Sequence, residues 1–279
     1  MLSFNAINSL SSSISMISSS CSISRGTTAR CFQVHLRRVY SAFSSGALME
    51  VVKTVAKHGA AATNAVAIIA DKKSYSYRQL VLSAQNIASI LSGGYSGSVN
   101  GVNESGSLGG ARVGIVAKPS AEFVAGILGT WLSGGVAVPL ALSYPEAELL
   151  HVMDDSDISM ILSTEEQHDL MKTIASKHAA TVDLIPPVPS ISLQDLTEGH
   201  LGTPEPNGSS KSQGFQVPSK TQAEDAALIL YTSGTTGKPK GVVHTHESIL
   251  AQVRTLSEAW GYSASDQFLH CLPLHHILE

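Results

Sequence analysis

Cysteine is scarce. The 279 residues hold three, Cys21, Cys31 and Cys271, and no two are in C-x-x-C spacing. That excludes a disulfide-stapled secreted fold. Aromatic residues make up only 5%, the formal net charge is −4, and no basic block is longer than two residues. Without a clustered Lys/Arg surface the chain has no electrostatic footprint for nucleic acid, so none is expected as a partner. Acidic residues and lysine are absent from residues 1–49, which carry Arg25, Arg30, Arg37 and Arg38 and a serine tract from Ser9 to Ser24. This leader is therefore +4 and the remaining 230 residues −8.

An acid-free, Arg-bearing, Ser-rich start has the composition of an organelle transit peptide, expected over residues 1–48. The segment Arg30–Phe43 could supply its amphipathic turn, and nothing there forms the apolar run of a secretory signal. Mitochondrion is the expected destination and plastid the alternative. A disordered Ser-rich tail is the plainer reading. Met49 lies where this composition ends, so a start there would yield a leaderless cytosolic form. Phe123–Pro145 is uncharged for 23 residues but is interrupted by Gly134, Gly135, Pro139 and Pro145. It reads as a buried helix followed by a buried parallel strand, against the alternative of a membrane span.

With 43% apolar residues, a chain of this length can bury one large core or two small ones. From Met49 onward, short apolar runs alternate with helical patterns. Ser76-Tyr77-Arg78-Gln79 has capping-box form and opens a helix with Leu80, Ala84, Ile87 and Leu91 on one face. Ser92–Ala111, with seven Gly in twenty residues, reads as a flexible surface insertion. The spacing then predicts a strand over Arg112–Ala117, a helix over Ser120–Leu132 and a strand over Ala137–Leu140. Next comes a second capping box at Ser143–Glu146 with a helix through Met153, a strand over Ser159–Ser163 and a helix over Gln167–His178. This alternation specifies right-handed crossovers and an α/β fold with a mostly parallel sheet flanked by helices. Between Ile185 and Glu224, where six of the eleven prolines lie, the pattern stops and reads as a surface excursion.

The apolar run Ala226–Tyr231 is of strand length and empties into Thr232-Ser233-Gly234-Thr235-Thr236-Gly237-Lys238-Pro239-Lys240-Gly241. Val242 and Val243 follow, then a helix with Ile249, Leu250, Val253, Leu256 and Trp260 on one face and Gly261 as its stop. Two glycines allow a tight turn with inward N–H groups, four hydroxyls add short donors, and Lys238 and Lys240 add charge. One lysine about 4 Å from a phosphate charge is worth ~4 kcal/mol at an effective dielectric of about 20. The loop suits a nucleoside triphosphate better than a lone carboxylate. It is not a Walker A loop, because Thr232 stands where that motif has its first Gly and Pro239 where it has Ser or Thr. The bland alternative is a solvated Gly/Thr turn between two strands.

Tyr231–Gly241, YTSGTTGKPKG, resembles without a gap the phosphate-binding signature of the acyl-adenylate-forming enzymes: acyl-CoA synthetases, peptide-synthetase adenylation domains and luciferases. Leu272–His276, LPLHH, resembles that family's second motif, and the likeness extends over about residues 49–277. The wider runs around these motifs look most like the malonyl-CoA synthetase branch. The resemblance implies the N-terminal part of the family's large domain and a two-step ligase reaction. A carboxylic acid, expected to be a dicarboxylate such as malonate, attacks Mg2+-bound ATP to give acyl-AMP, and CoA then displaces AMP. Carried over by position, Thr232, Ser233, Gly234, Thr235, Thr236, Gly237 and Lys238 would grip the β- and γ-phosphates, and His276 would lie near the reacting carboxylate.

His244, His246, His270, His275, His276 and Cys271 invite a zinc reading, but no spacing matches a structural zinc site, and packing is the expected role of most of them. After His276 the chain reads Ile-Leu-Glu, where the family's pattern continues through a long second half. The expectation is an incomplete adenylation domain without the C-terminal domain and with little turnover alone. The run Gln267–Leu274 is expected as a further parallel strand leaving an exposed apolar edge. A non-catalytic nucleotide-binding or regulatory fragment is the competing class.

Overall fold

The computed structural model describes residues 2–3, 47–61, 65–94, 107–191, 222, 224–232, 237–263, 265–270 and 274. Ten strands and six helices are assigned among them, in two sheets. The strands are β1 (Leu2–Ser3), β2 (Val66–Ala70), β3 (Lys73–Ser76), β4 (Arg112–Val116), β5 (Val136–Pro139), β6 (Ile158–Ser163), β7 (Thr181–Leu184), β8 (Ala226–Thr232), β9 (Lys240–Thr245) and β10 (Gln267–Phe268). The helices are α1 (Ala47–Ala61), α2 (Tyr77–Gly94), α3 (Ala121–Leu132), α4 (Glu146–Asp155), α5 (Glu165–Ala175) and α6 (His246–Trp260).

The larger sheet has the order β7-β6-β4-β5-β8-β9. Its first five strands pair in parallel, through contacts such as Ile115 beside Pro139 and Ala137 beside Leu228. The edge strand β9 runs antiparallel to β8, with Tyr231 opposite Gly241 and Thr232 opposite Lys240. The smaller sheet, β10-β1-β2-β3, is antiparallel. The fold is α/β with a parallel-dominated sheet.

Alternation along the strands divides the core between the two faces of the sheet. Val113, Ile115, Met160 and Leu162 belong to the layer formed with α2 and α3, while Val116, Val138 and Ile161 belong to the layer formed with α4 and α5. The α2 capping box forms as its sequence demands. Gln79 N donates to Ser76 Oγ at 3.2 Å, and Gln79 Oε1 accepts from Ser76 N at 2.8 Å. Leu80, Ala84, Ile87 and Leu91 are all buried. At α3, Ser120 Oγ accepts from Phe123 N at 3.3 Å. Among the described residues no helix is long and apolar enough to cross a membrane.

Several expectations need correction. Ser143 does not cap α4. Pro145 holds the N-cap position without a side-chain hydrogen bond, its φ of −58° and missing N–H suiting a helix start on their own. Helix α5 occupies 165–175 rather than 167–178, because Thr164, directly after β6, takes the N-cap position before two first-turn glutamates and the chain turns after Ser176. Strand β7 has no counterpart in the periodicity, being only four residues of half-buried edge. Both ends of the Gly-rich stretch are ordered. Gly93 and Gly94 finish α2, and Leu108 is buried with its N–H on Ser133 O at 2.7 Å. The excursion after β7 also begins anchored, with Ile185 and Val188 buried and Val188 N donating to Glu122 Oε1 at 2.9 Å.

The described start of the run Gln267–Leu274 lies in the smaller sheet and not in the parallel one. Among the described residues of this run, Gln267 and Phe268 alone are in a strand, and they pair antiparallel with β1. The place beside β8 that a further strand would need is taken by β5 on one side and β9 on the other. Most of the leader expected over 1–48, residues 95–106 and most of the excursion lie outside the described residues.

Candidate functional site

The candidate phosphate loop lies at the carboxyl end of β8, between that strand and its antiparallel return β9. This is the end of a parallel sheet where ligands of open α/β folds sit. Buried Ala227, Leu230 and Tyr231 fix β8 in the sheet. Trp131 Nε1 adds a tie by donating to Ala227 O at 2.7 Å.

The structure describes the two flanks of the loop. Thr232 is half-buried, and its Oγ1 stands 3.5 Å from Lys240 O across the last ladder pair. Gly237 has φ of +96°, a left-handed conformation that L side chains rarely adopt, while a Cβ there would meet open space. Backbone conformation, not crowding, is the reason for glycine at that place. Lys238 is exposed, so its ammonium is accessible to an anion without prior burial. Pro239 is buried, and its carbonyl accepts from His151 Nε2 on α4 at 3.2 Å. The other residues expected here, Ser233, Gly234, Thr235 and Thr236, lie outside the described residues, as does His276. Thr232, Gly237 and Lys238 are thus brought to one hairpin end.

Beneath the hairpin, the Tyr231 hydroxyl donates to Asp155 Oδ2 at 2.7 Å and lies 2.8 Å from Ser156 Oγ. A carboxylate can only accept, so the tyrosine proton goes to Asp155. Ser156 also contacts Val152 O at 2.6 Å. Burial raises the Tyr231 pKa, the Ser156 contact pulls against it, and the hydrogen bond and charge of Asp155 raise it further, to about 12. The phenol therefore stays protonated. The periodicity of the sequence did not single out Tyr231, Asp155 or His151. The available signals were a polar hydroxyl at the end of an apolar strand and two histidine/acid positions one helical turn apart.

Of the histidines, His244 sits in β9 and His246 begins α6, where it is 5% exposed and meets the Trp131 ring edge-on at 5.4 Å between centroids. Burial lowers its pKa to about 4, with the charge of Asp225 acting in the opposite direction. Packing accounts for this residue. Among the described residues, no three His, Cys, Asp or Glu side chains are grouped so as to hold a metal ion. Cys271 and His275 lie outside the described residues.

Comparison with known proteins places this geometry in context. The AMP-binding enzyme family profile matches residues 55–279. The Humulus lupulus protein named "Probable CoA ligase CCL8" is 59% identical over 256 residues, covering 86% of this chain and 42% of its own length. The Arabidopsis thaliana malonate–CoA ligase is 55% identical over 239 residues, covering 84% of this chain and 37% of its own. Among solved structures, ATP-bound MatB from Rhodopseudomonas palustris superposes with a TM-score of 0.58 at 29% identity, over 80% of this chain and 40% of MatB. The chain thus spans about two fifths of the length of the relatives it matches.

Proposed function

The chain belongs to the AMP-binding enzyme family, and from that premise we propose that it is the nucleotide-binding part of an ATP-dependent acid–thiol ligase whose acid is malonate. In the proposed reaction a carboxylate oxygen of the acid attacks the α-phosphorus of ATP. The bond to the β-phosphate bridging oxygen breaks, and pyrophosphate leaves. The thiolate sulfur of CoA then attacks the acyl carbon, and AMP departs with the electron pair of the acyl–phosphate bond. Both first-step reactants are anions, so the protein must neutralise charge and hold them in line. Thr232, Ser233, Gly234, Thr235, Thr236, Gly237 and Lys238 take the β- and γ-phosphates, and His276 adjoins the reacting carboxylate. ATP arrives as its Mg2+ complex, the metal being held chiefly by the phosphates.

The observation that carries this reading is the placement of a left-handed Gly237 and an accessible Lys238 at the carboxyl end of a buried parallel-sheet strand. Malonate as the acid is supported by the 55% identical Arabidopsis malonate–CoA ligase, and ATP by the ATP-bound MatB. The further domain proposals follow the composition. Residues 1–48 act as an organelle transit peptide, with mitochondrion before plastid, and residues 49–279 form part of the adenylation domain. A polypeptide of these 279 residues alone is expected to bind nucleotide with little thioester turnover.

ATP–pyrophosphate exchange on a form of the relatives' length, offered malonate, methylmalonate, acetate and an aromatic acid in turn, tests the proposal. Exchange dependent on malonate supports it. A folded protein that exchanges with none of them removes the ligase reading. Robust thioester formation by the 279-residue chain would remove the expectation of low turnover.

A further inference from the structure

Helix α4 reaches the candidate phosphate loop at two places, one on each side of it. On the approach side, Tyr231 is the last residue before Thr232, and its hydroxyl is held by Asp155 at 2.7 Å and Ser156 at 2.8 Å. On the return side, the carbonyl of Pro239, directly after Lys238, accepts from His151 Nε2 at 3.2 Å. His151 and Asp155 are four residues apart on α4 and so share one face of that helix. The two strands are locked to each other at the same level. Tyr231 pairs with Gly241, and a Cβ on Gly241 would lie 3.1 Å from Tyr231 Cζ and 3.2 Å from Oη. A side chain at 241 would also lie 3.0 Å from Ile229 Cγ2, so it would crowd the tyrosine ring and push it by a few tenths of an ångström from its place against α4.

We propose that α4 is a clamp, with Tyr231, Asp155 and His151 as positioning residues that hold both ends of the loop in the geometry that receives a polyphosphate. This deepens the nucleotide reading of the same loop and rests on it. These groups are not themselves phosphate ligands. Asp155 is an anion, and it lies at the C-terminal end of α4, where the helix dipole is negative, so direct contact with phosphate would be repulsive. Their effect passes through the backbone at 231 and 239. Flanks that are already held in place lose less conformational freedom when an anion binds between them, which raises affinity without adding a contact. The buried, neutral phenol suits this role, since a hydroxyl that ionised would repel Asp155 and release the strand.

The test uses the whole chain with four variants: Tyr231→Phe and Asp155→Ala remove the first grip, His151→Ala the second, and His151→Gln keeps a donor at its place. Titration calorimetry with Mg-ATP and with inorganic pyrophosphate gives the affinities, and thermal melts give the folded fraction. Each removal is expected to weaken both anions about three- to tenfold, the range of one net hydrogen bond, with His151→Gln recovering most of the loss. Tyr231→Phe and Asp155→Ala combined should cost no more than either alone. A purely structural role would lower the melting temperature while leaving the affinity of the folded molecules unchanged, and that result overturns the clamp.

Hydrogen exchange without nucleotide supplies the second readout. The amides of Gly237, Lys238 and Lys240 are expected to exchange at least about threefold faster in the removal variants, with Ile115 in β4 unchanged. Unaltered exchange at those three amides also overturns the clamp. If the wild-type chain binds neither anion, the nucleotide reading fails separately and exchange alone decides whether α4 holds the loop. Should the buried Tyr231→Phe not fold, the partly exposed His151 pair carries both readouts.

Discussion

His246 shows how one buried side chain sets a pH limit. It is packed on Trp131 with its folded-state pKa lowered to about 4, against an ordinary histidine value of 6.5. Between those values the unfolded chain binds the proton and the folded chain does not, so stability falls as pH drops from about 6.5 to about 4 and is unaffected by this residue below that. The loss is on the order of 3 kcal/mol at most. His246→Phe, which keeps an aromatic body, is expected to flatten the dependence of urea midpoints on pH across that window. An unchanged slope would assign the acid sensitivity elsewhere. Tyr231 acts at the opposite end of the scale. Its raised pKa means that stability is full below pH 10 and is lost as pH rises toward about 12. Burial raises Tyr75 and Tyr144 as well, so absorbance titration of phenolate should show several late-ionising tyrosines, with the phase near pH 12 lost in Tyr231→Phe.

Helices α2 and α3 approach closely because Gly129 has no side chain. A Cβ there would lie 2.6 Å from Ile87 Cγ2 and 2.9 Å from the Ala84 carbonyl oxygen. Backbone cannot yield cheaply, so Gly129→Ala is expected to cost about 2–3 kcal/mol despite alanine's better helix propensity, read as a lowered denaturant midpoint. The same mutation would be neutral or stabilising if the helices could slide apart. The β2–β3 hairpin carries a smaller strain. Asp71 and Lys72 both adopt positive φ, at 49° and 62°, where a two-residue turn favours Asn-Gly. Lys72→Gly is therefore expected to stabilise by about 0.5–1 kcal/mol.

These elements also show what the sequence could reveal. The α2 capping box, the buried Leu80–Leu91 stripe and the strand β8 were legible because local hydrogen bonding and apolar period agree with their burial. The false cap at Ser143 shared the same letters, but Pro145 starts α4 by backbone geometry alone. Strand β7 and the pairing of β10 with β1 are set by neighbours distant in sequence, which no local period encodes. For the same reason the loop's composition was readable while its supports on α4, 75 to 88 residues away, were not.

At the scale of the whole chain, large apolar side chains left outside are concentrated near its later part. Among the described residues nine large apolar side chains are exposed, and five of them, Val242, Val243, Leu256, Trp260 and Leu269, fall within 242–269, with Val243 at 58% and Trp260 and Leu269 at 65%. Such side chains favour association. Sedimentation is therefore expected to show concentration-dependent self-association, reduced in a Val243→Thr, Trp260→Ser, Leu269→Ser variant without loss of melting temperature. A monomer at all concentrations would mean that these residues are too dispersed to act together.

Calorimetric titration of the folded 279-residue chain with Mg-ATP, beside Lys238→Ala of the same melting temperature, addresses the phosphate-holding role of the β8–β9 loop most directly. Measurable binding that weakens about tenfold or more on removal of the ammonium is the expected result. A folded chain with no affinity for ATP, or equal affinity in the variant, would contradict it.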